Sequence, residues 1–212
     1  PVYFYDVASK FLEDRIKSRI TFNTYDIRFT FKNSTHGVKT FNVSEEAGQL
    51  IGIMGGSGVG KSTLLNVLNG KIPPDEGKIS INGYDIHENS EELKGLIGYI
   101  PQEDLLIEEL TVYQNLYYNA RLCFKDFNEA EIHNKVMETL AILELTDTAH
   151  LKVGTPLNKY ISGGQRKRLN IGLELMREPY ILFIDEPTTG LSSMDSENVM
   201  YLLKKQALKG KL

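Results

Sequence analysis

The chain has 212 residues, 41% hydrophobic and 25% charged, which excludes disorder, collagen, a coiled coil and a disulfide scaffold. Its 24 basic and 28 acidic residues give a net charge of −4 with no run of like charges, against a dominant nucleic-acid or anionic-membrane surface. A single cysteine, Cys123, excludes an internal disulfide and suits a reducing compartment.

In chain order, residues 3–19 place Val7, Phe11, Leu12 and Ile16 at helical spacing among charges, which predicts an amphipathic lead-in helix. From Ile20 the period becomes two: Ile20, Phe22, Ile27, Phe29 and Phe31 alternate with polar residues, as in edge strands. A turn at 33–37 leads to a return strand over 38–43. Residues 50–54 read as a short apolar strand, and a helix opens at Lys61 with Leu64, Leu65 and Leu68 on one face. Further strands are expected at Ile79 and Ile81 and over 96–100. A helical stretch runs from Leu105 to about Leu151, then a helix over 165–176, a buried strand over 180–184 and a helix over 197–208. Strands and helices alternating around a helical insertion predict an α/β fold with a mainly parallel core sheet and an antiparallel β edge.

No window approaches the roughly 20 apolar residues of a membrane span, and no secretory signal is visible. The chain starts at Pro1 without Met and stops at Leu212 after a Lys-rich helical pattern, so a piece of a longer protein is expected.

Three motifs carry chemistry. Gly55-Gly56-Ser57-Gly58-Val59-Gly60-Lys61-Ser62 fits G-x-x-x-x-G-K-[ST] between an expected strand and helix. A chance match at this length is expected in under roughly 1% of chains of ordinary composition. Glycines let successive N–H groups approach phosphate oxygens, and the following helix adds its positive end. Lys61 supplies a point charge for β- and γ-phosphates, and the Ser62 hydroxyl can ligate Mg²⁺.

Residues 181–186 form an apolar strand ending in two carboxylates. There Asp185 can hold a magnesium shell, and Glu186 can act as general base or water positioner. These acids alternatively cap the turn Pro187-Thr188-Thr189-Gly190. Ser162-Gly163-Gly164-Gln165, followed by Arg166-Lys167-Arg168, makes either a helix cap or a second anion-binding helix end.

Taken together, these motifs resemble those of the nucleotide-binding domain of ABC transporter ATPases, over about residues 20–212. Walker A is Gly55 to Ser62 with Thr63 following; the Q-loop glutamine is Gln102 in Tyr99-Ile100-Pro101-Gln102. The signature is Ser162-Gly163-Gly164-Gln165, and Walker B ends at Asp185 with Glu186 as the catalytic acid. Gln102-Glu103-Asp104, Leu110-Thr111-Val112, residues 161–168 and residues 185–191 resemble most the subgroup of eye-pigment and sterol/drug half-transporters.

The resemblance implies a P-loop NTPase core at 20–101 and 168–212, a helical signature subdomain at 102–167 and a linker at 1–19. It implies ATP and Mg²⁺ as cofactors, with Ser62, Gln102 and Asp185 at the metal and Glu186, Gln102 and Lys61 catalytic. Residues 55–63 would bind ATP, while Ser162 to Gln165 would serve a nucleotide held by a second such domain, homologous or identical, in a head-to-tail dimer. The other implied partner is a transmembrane domain in the same full-length chain, with no nucleic acid; the fragment itself would be soluble, at the cytoplasmic face of a membrane in the whole protein.

Three departures stand out. Leu191 is followed by Ser192, and an acid returns only at Asp195. Near the adenine-stacking position stand Phe29 and Phe31 and no tyrosine, and both also read as core-packing strand residues. No histidine follows Glu186; His36, His87, His133 and His150 all precede Walker B. The expected function is ATP hydrolysis powering export, with a soluble ABC-type ATPase of translation or DNA repair, or a nucleotide-sensing module of little hydrolysis, as rivals.

Overall fold

A computed structural model of the chain describes residues 20–33, 36–155, 158 and 160–212; the helix expected over 3–19 lies outside the described residues. The contacts divide the chain into two compact units. The first holds the described residues through Tyr99, then Pro179–Asp185 and Gln206–Leu212; the second holds Ile100–Glu178 and Glu186–Lys205.

In the first unit, β1 (Thr21–Thr30) pairs antiparallel with β2 (Gly37–Glu46) and with β3 (Glu76–Ile81). β4 (Tyr84–Asp85) adds a short edge to give the order β2-β1-β3-β4. Phe22 stands opposite Ile81 and Thr24 opposite Ile79, so the period-two pattern read in the sequence becomes one inward face. β1, expected as an edge strand, lies inside the sheet, and β2 takes the edge. Ile20, Phe22, Ile27, Ile79 and Ile81 meet Val67 and Leu68 of α1 (Lys61–Leu68), with Leu96 and Ile181, in one buried cluster. Each such aliphatic side chain contributes about 2 kcal/mol by leaving water.

A second, two-stranded sheet pairs β5 (Ile97–Ile100) with β6 (Ile181–Ile184). Leu212 lies along β6, its N–H donating to Tyr180 O at 2.9 Å while Leu182 N donates to Leu212 O at 2.7 Å. On the other side of this short run, Gly48 N donates to Lys211 O at 2.9 Å.

The strand expected over 50–54 is not formed. Its hydrophobicity fits a buried strand, but a strand also needs a neighbour to take its N–H and C=O groups. Among the described residues, that hydrogen bonding stops at Gly48, and Leu50, Ile51, Ile53 and Met54 are 46%, 49%, 38% and 95% exposed.

The second unit is helical. The stretch expected to be helical from 105 to about 151 holds α2 (Val112–Cys123), α3 (Glu129–Leu143) and a single 3-10 turn at Thr146–Thr148. Reciprocal capping boxes start the two helices: Thr111 with Gln114, and Asn128 with Glu131. α4 (Gly163–Leu175) packs on both, and α5 (Ser193–Leu208) closes the chain. Ile132, Val136, Leu140, Leu143, Leu169 and Ile171 are fully buried in this unit.

Candidate functional site

In the first unit, residues 55–60 form an irregular loop that ends at Gly60, the N-cap of α1. Gly60 sits at φ 98°, a left-handed conformation that a side chain would strain, and this turn points the helix start back into the loop. Lys61 reaches across it, its Nζ donating to Gly55 O at 3.1 Å and Gly56 O at 2.8 Å. Among the described residues, the N–H groups of residues 55–60 donate to no protein acceptor. A row of free N–H donors, a lysine ammonium and a helix N-terminus match the oxygens of a polyphosphate in charge and donor type. Ser62 and Thr63 begin α1 one and two residues beyond the lysine.

Asp185 follows β6 immediately, is 5% exposed, and makes no hydrogen bond or ion pair among the described residues. Its charge and, first, burial hold the Tyr99 hydroxyl above the ordinary tyrosine pKa. A carboxylate and the Ser62 hydroxyl are hard oxygen donors of the kind magnesium takes, while keeping waters and phosphate oxygens as further ligands. No cluster of three or more His, Cys, Asp or Glu occurs among the described residues.

The second unit carries Gln102, Glu186 and Ser162 to Gln165. Glu186 occupies φ 46°, uncommon for a non-glycine residue and costing about 1 kcal/mol. Its Oε2 accepts a hydrogen bond from Thr189 Oγ1 at 2.8 Å, leaving Oε1 available. Ser162 and Gln165 form a reciprocal box at the start of α4: Gln165 N donates to Ser162 Oγ at 3.1 Å, and Ser162 N to Gln165 Oε1 at 2.8 Å. The Ser162 hydroxyl accepts here, so its own proton remains free to donate to an anion. Gly164 lies under Asp195, where a β-carbon would come within 2.0 Å of Oδ1. Asp195 N in turn donates to Ser192 Oγ at 3.1 Å, and Ser192 Oγ donates to Asp195 Oδ2 at 3.0 Å. The serine that departs from the family pattern therefore caps α5 with the acid three residues on.

The sequence reading missed how α4 grips the segment after Gln102. Arg166 donates through Nε to Asp104 Oδ2 at 2.6 Å, through an Nη to Gly154 O at 2.6 Å, and lies 3.4 Å from Glu108 Oε1. Lys167 Nζ donates to Gln102 O at 3.3 Å, and Leu105 N donates to Asn170 Oδ1 at 3.0 Å. The signal was present in the three consecutive basic residues after the signature, all of which are buried. Of the aromatics considered for adenine, Phe29 packs on the core cluster and on Phe31 edge to face, with Phe31 exposed.

Comparison with known proteins comes to one family. The family model described as ABC transporter matches residues 38–189. ABC transporter G family member 28 of Arabidopsis thaliana is 37% identical over 192 residues, covering 87% of this chain and 17% of that protein. The putative white-brown complex homolog protein 30 of the same plant is 36% identical, over 87% of this chain and 17% of its own length. This chain thus spans about a sixth of these relatives. The solved structure of cbiO1 from Clostridium perfringens, part of the ABC transporter complex cbiONQ, superposes with a TM-score of 0.78 at 28% identity, covering 91% of this chain and 75% of that one. No helix among the described residues is long and apolar enough to cross a membrane.

Proposed function

We propose that this chain, which belongs to the ABC transporter family as an ATP-binding and ATP-hydrolysing domain of P-loop fold and G-type kinship, is the motor that drives substrate across a membrane. The observation that carries the reading is the glycine loop over α1, with Lys61 drawn across it and its N–H groups unspent. Residues 55–63 hold the triphosphate, Lys61 bearing on the β- and γ-phosphates. Ser62 and Asp185 hold magnesium, with Gln102 as a further ligand. The ion, when bound, supplies charge neutralisation at the phosphate oxygens.

Glu186 orients the attacking water and takes its proton, with Thr189 holding the second carboxylate oxygen. Ser162 to Gln165 present a hydroxyl, the N–H groups of Gly163 and Gly164 and the positive end of α4 to the γ-phosphate held by a second such domain. Two copies, or a copy and a homologue, close head to tail around two nucleotides. The membrane-spanning partner belongs to the same longer chain, and the motor works at the cytoplasmic face. The naming of the solved neighbour as part of an ABC transporter complex supports such a partner.

Replacing Lys61 by Ala tests the nucleotide reading. Loss of ATP binding in titration calorimetry, with an unchanged far-UV spectrum, is expected; unaltered affinity would overturn it.

A further inference from the structure

The second unit contains a cleft that the nucleotide chemistry does not use. It is a small depression open to solvent, with Glu144, Arg168, Asn198, Tyr201 and Lys205 around Leu143. Arg168, on α4, is 9% exposed, and its Nε has neither solvent nor a partner. Among the described residues its guanidinium enters no hydrogen bond and no ion pair. The contrast with Arg166, one turn-half earlier on the same helix and held by three acceptors, is direct. A buried cation without a counter-charge is unfavourable, and a guanidinium fork is shaped for two oxygens of one oxyanion.

The remaining charges do not satisfy it. Glu144, the acid of the cleft, turns to Lys205, its Oε1 lying 3.6 Å from Nζ. Glu144 ends α3 in a left-handed conformation, φ 57° and ψ 46°, where glycine is the usual residue. Lys205 Nζ also sits 4.2 Å above the Tyr201 ring. Two cations and one carboxylate leave the cleft with one positive charge in excess, and that excess resides on the unpartnered arginine.

We propose that this cleft binds a single small oxyanion, a phosphate or a carboxylate, with Arg168 as its fork and Lys205 as the second cation. The site links the end of α3 to α4 and α5, so occupancy stabilises the packing of these three helices. None of its residues belongs to the loop at 55–63, to Asp185 or to Ser162–Gln165, so an anion here is distinct from one held by those groups.

The test follows the Nε–H resonance of Arg168 in arginine-labelled full-length chain, assigned by correlation to its backbone. Inorganic phosphate and acetate are titrated separately against chloride at constant ionic strength, with Mg·ADP at saturation. A saturable shift in the millimolar range with either anion supports the proposal, and the anion that gives it identifies the chemistry. Lys205→Gln, at a half-buried position, should raise the half-saturating concentration about three-fold. Arg168→Lys, which keeps the charge and loses the fork, should abolish the rise in melting temperature that the anion gives the parent chain. No saturable shift with either anion, or an equal thermal rise in Arg168→Lys, would overturn it.

Discussion

Replacing Arg166 by Met leaves three acceptors stranded at once. Asp104 Oδ2 and Gly154 O each lose a donor at 2.6 Å, and Glu108 loses its pairing at 3.4 Å. The arginine side chain is 11% exposed and that of Asp104 24%, so water reaches the pair poorly. Breaking a buried pair from one side costs about 3–5 kcal/mol, and partial exposure of Asp104 places the expectation near 3. A domain of this size loses roughly 2–4 °C per kcal/mol, which gives a fall of roughly 6–12 °C. Urea denaturation and calorimetry read both quantities. Arg166→Lys should lose most of this, because an ammonium cannot span Asp104 and Gly154 O together. The double variant Arg166→Met with Asp104→Asn should cost less than the sum of its parts by more than about 1 kcal/mol. A single-variant loss below about 0.5 kcal/mol, or strict additivity, would refute the clamp.

Burial raises the pKa of Glu174 above its ordinary value, with Arg177 opposing in part. The folded chain then binds that proton more tightly than the unfolded chain, so this contribution is complete below about 4.5 and lost as pH rises through the folded value. Glu174→Gln should therefore raise the melting temperature at pH 7.5 relative to the parent and lose that advantage near pH 4; an equal effect at both would contradict the assignment. Ser162→Ala should cost about 1 kcal/mol through the α4 cap and lower ATP turnover as well. Ser162→Asn should restore stability, since Asn caps as well as Ser, while turnover stays low; recovery of both would reduce the serine to a cap.

Much of this could be read from residues alone where local rules and tertiary packing agree. The alternation of Phe22, Ile27 and Phe29 became β1, and Ser162 at the start of a helix became its N-cap. The boundaries inside residues 105–151 were also written locally, as Thr111 with Gln114 and Asn128 with Glu131, but a run rich in Glu and Leu masked them. Residues 50–54 failed for another reason, since apolar composition specifies burial only when an adjacent strand exists to pair with. The burial of Arg166, Lys167 and Arg168 left no trace in the local sequence, because the acceptors of the first two, Gly154 O apart, sit some 60 residues earlier in the chain. Separation of that kind is invisible to any local pattern.

The central proposal is that Glu186 serves ATP hydrolysis. The direct measurement is phosphate release by Glu186→Gln beside its ATP affinity. The account predicts binding within about two-fold of the parent, and turnover lower by about 10²–10⁴, the usual contribution of a positioned general base. Turnover equal to that of the parent would contradict it.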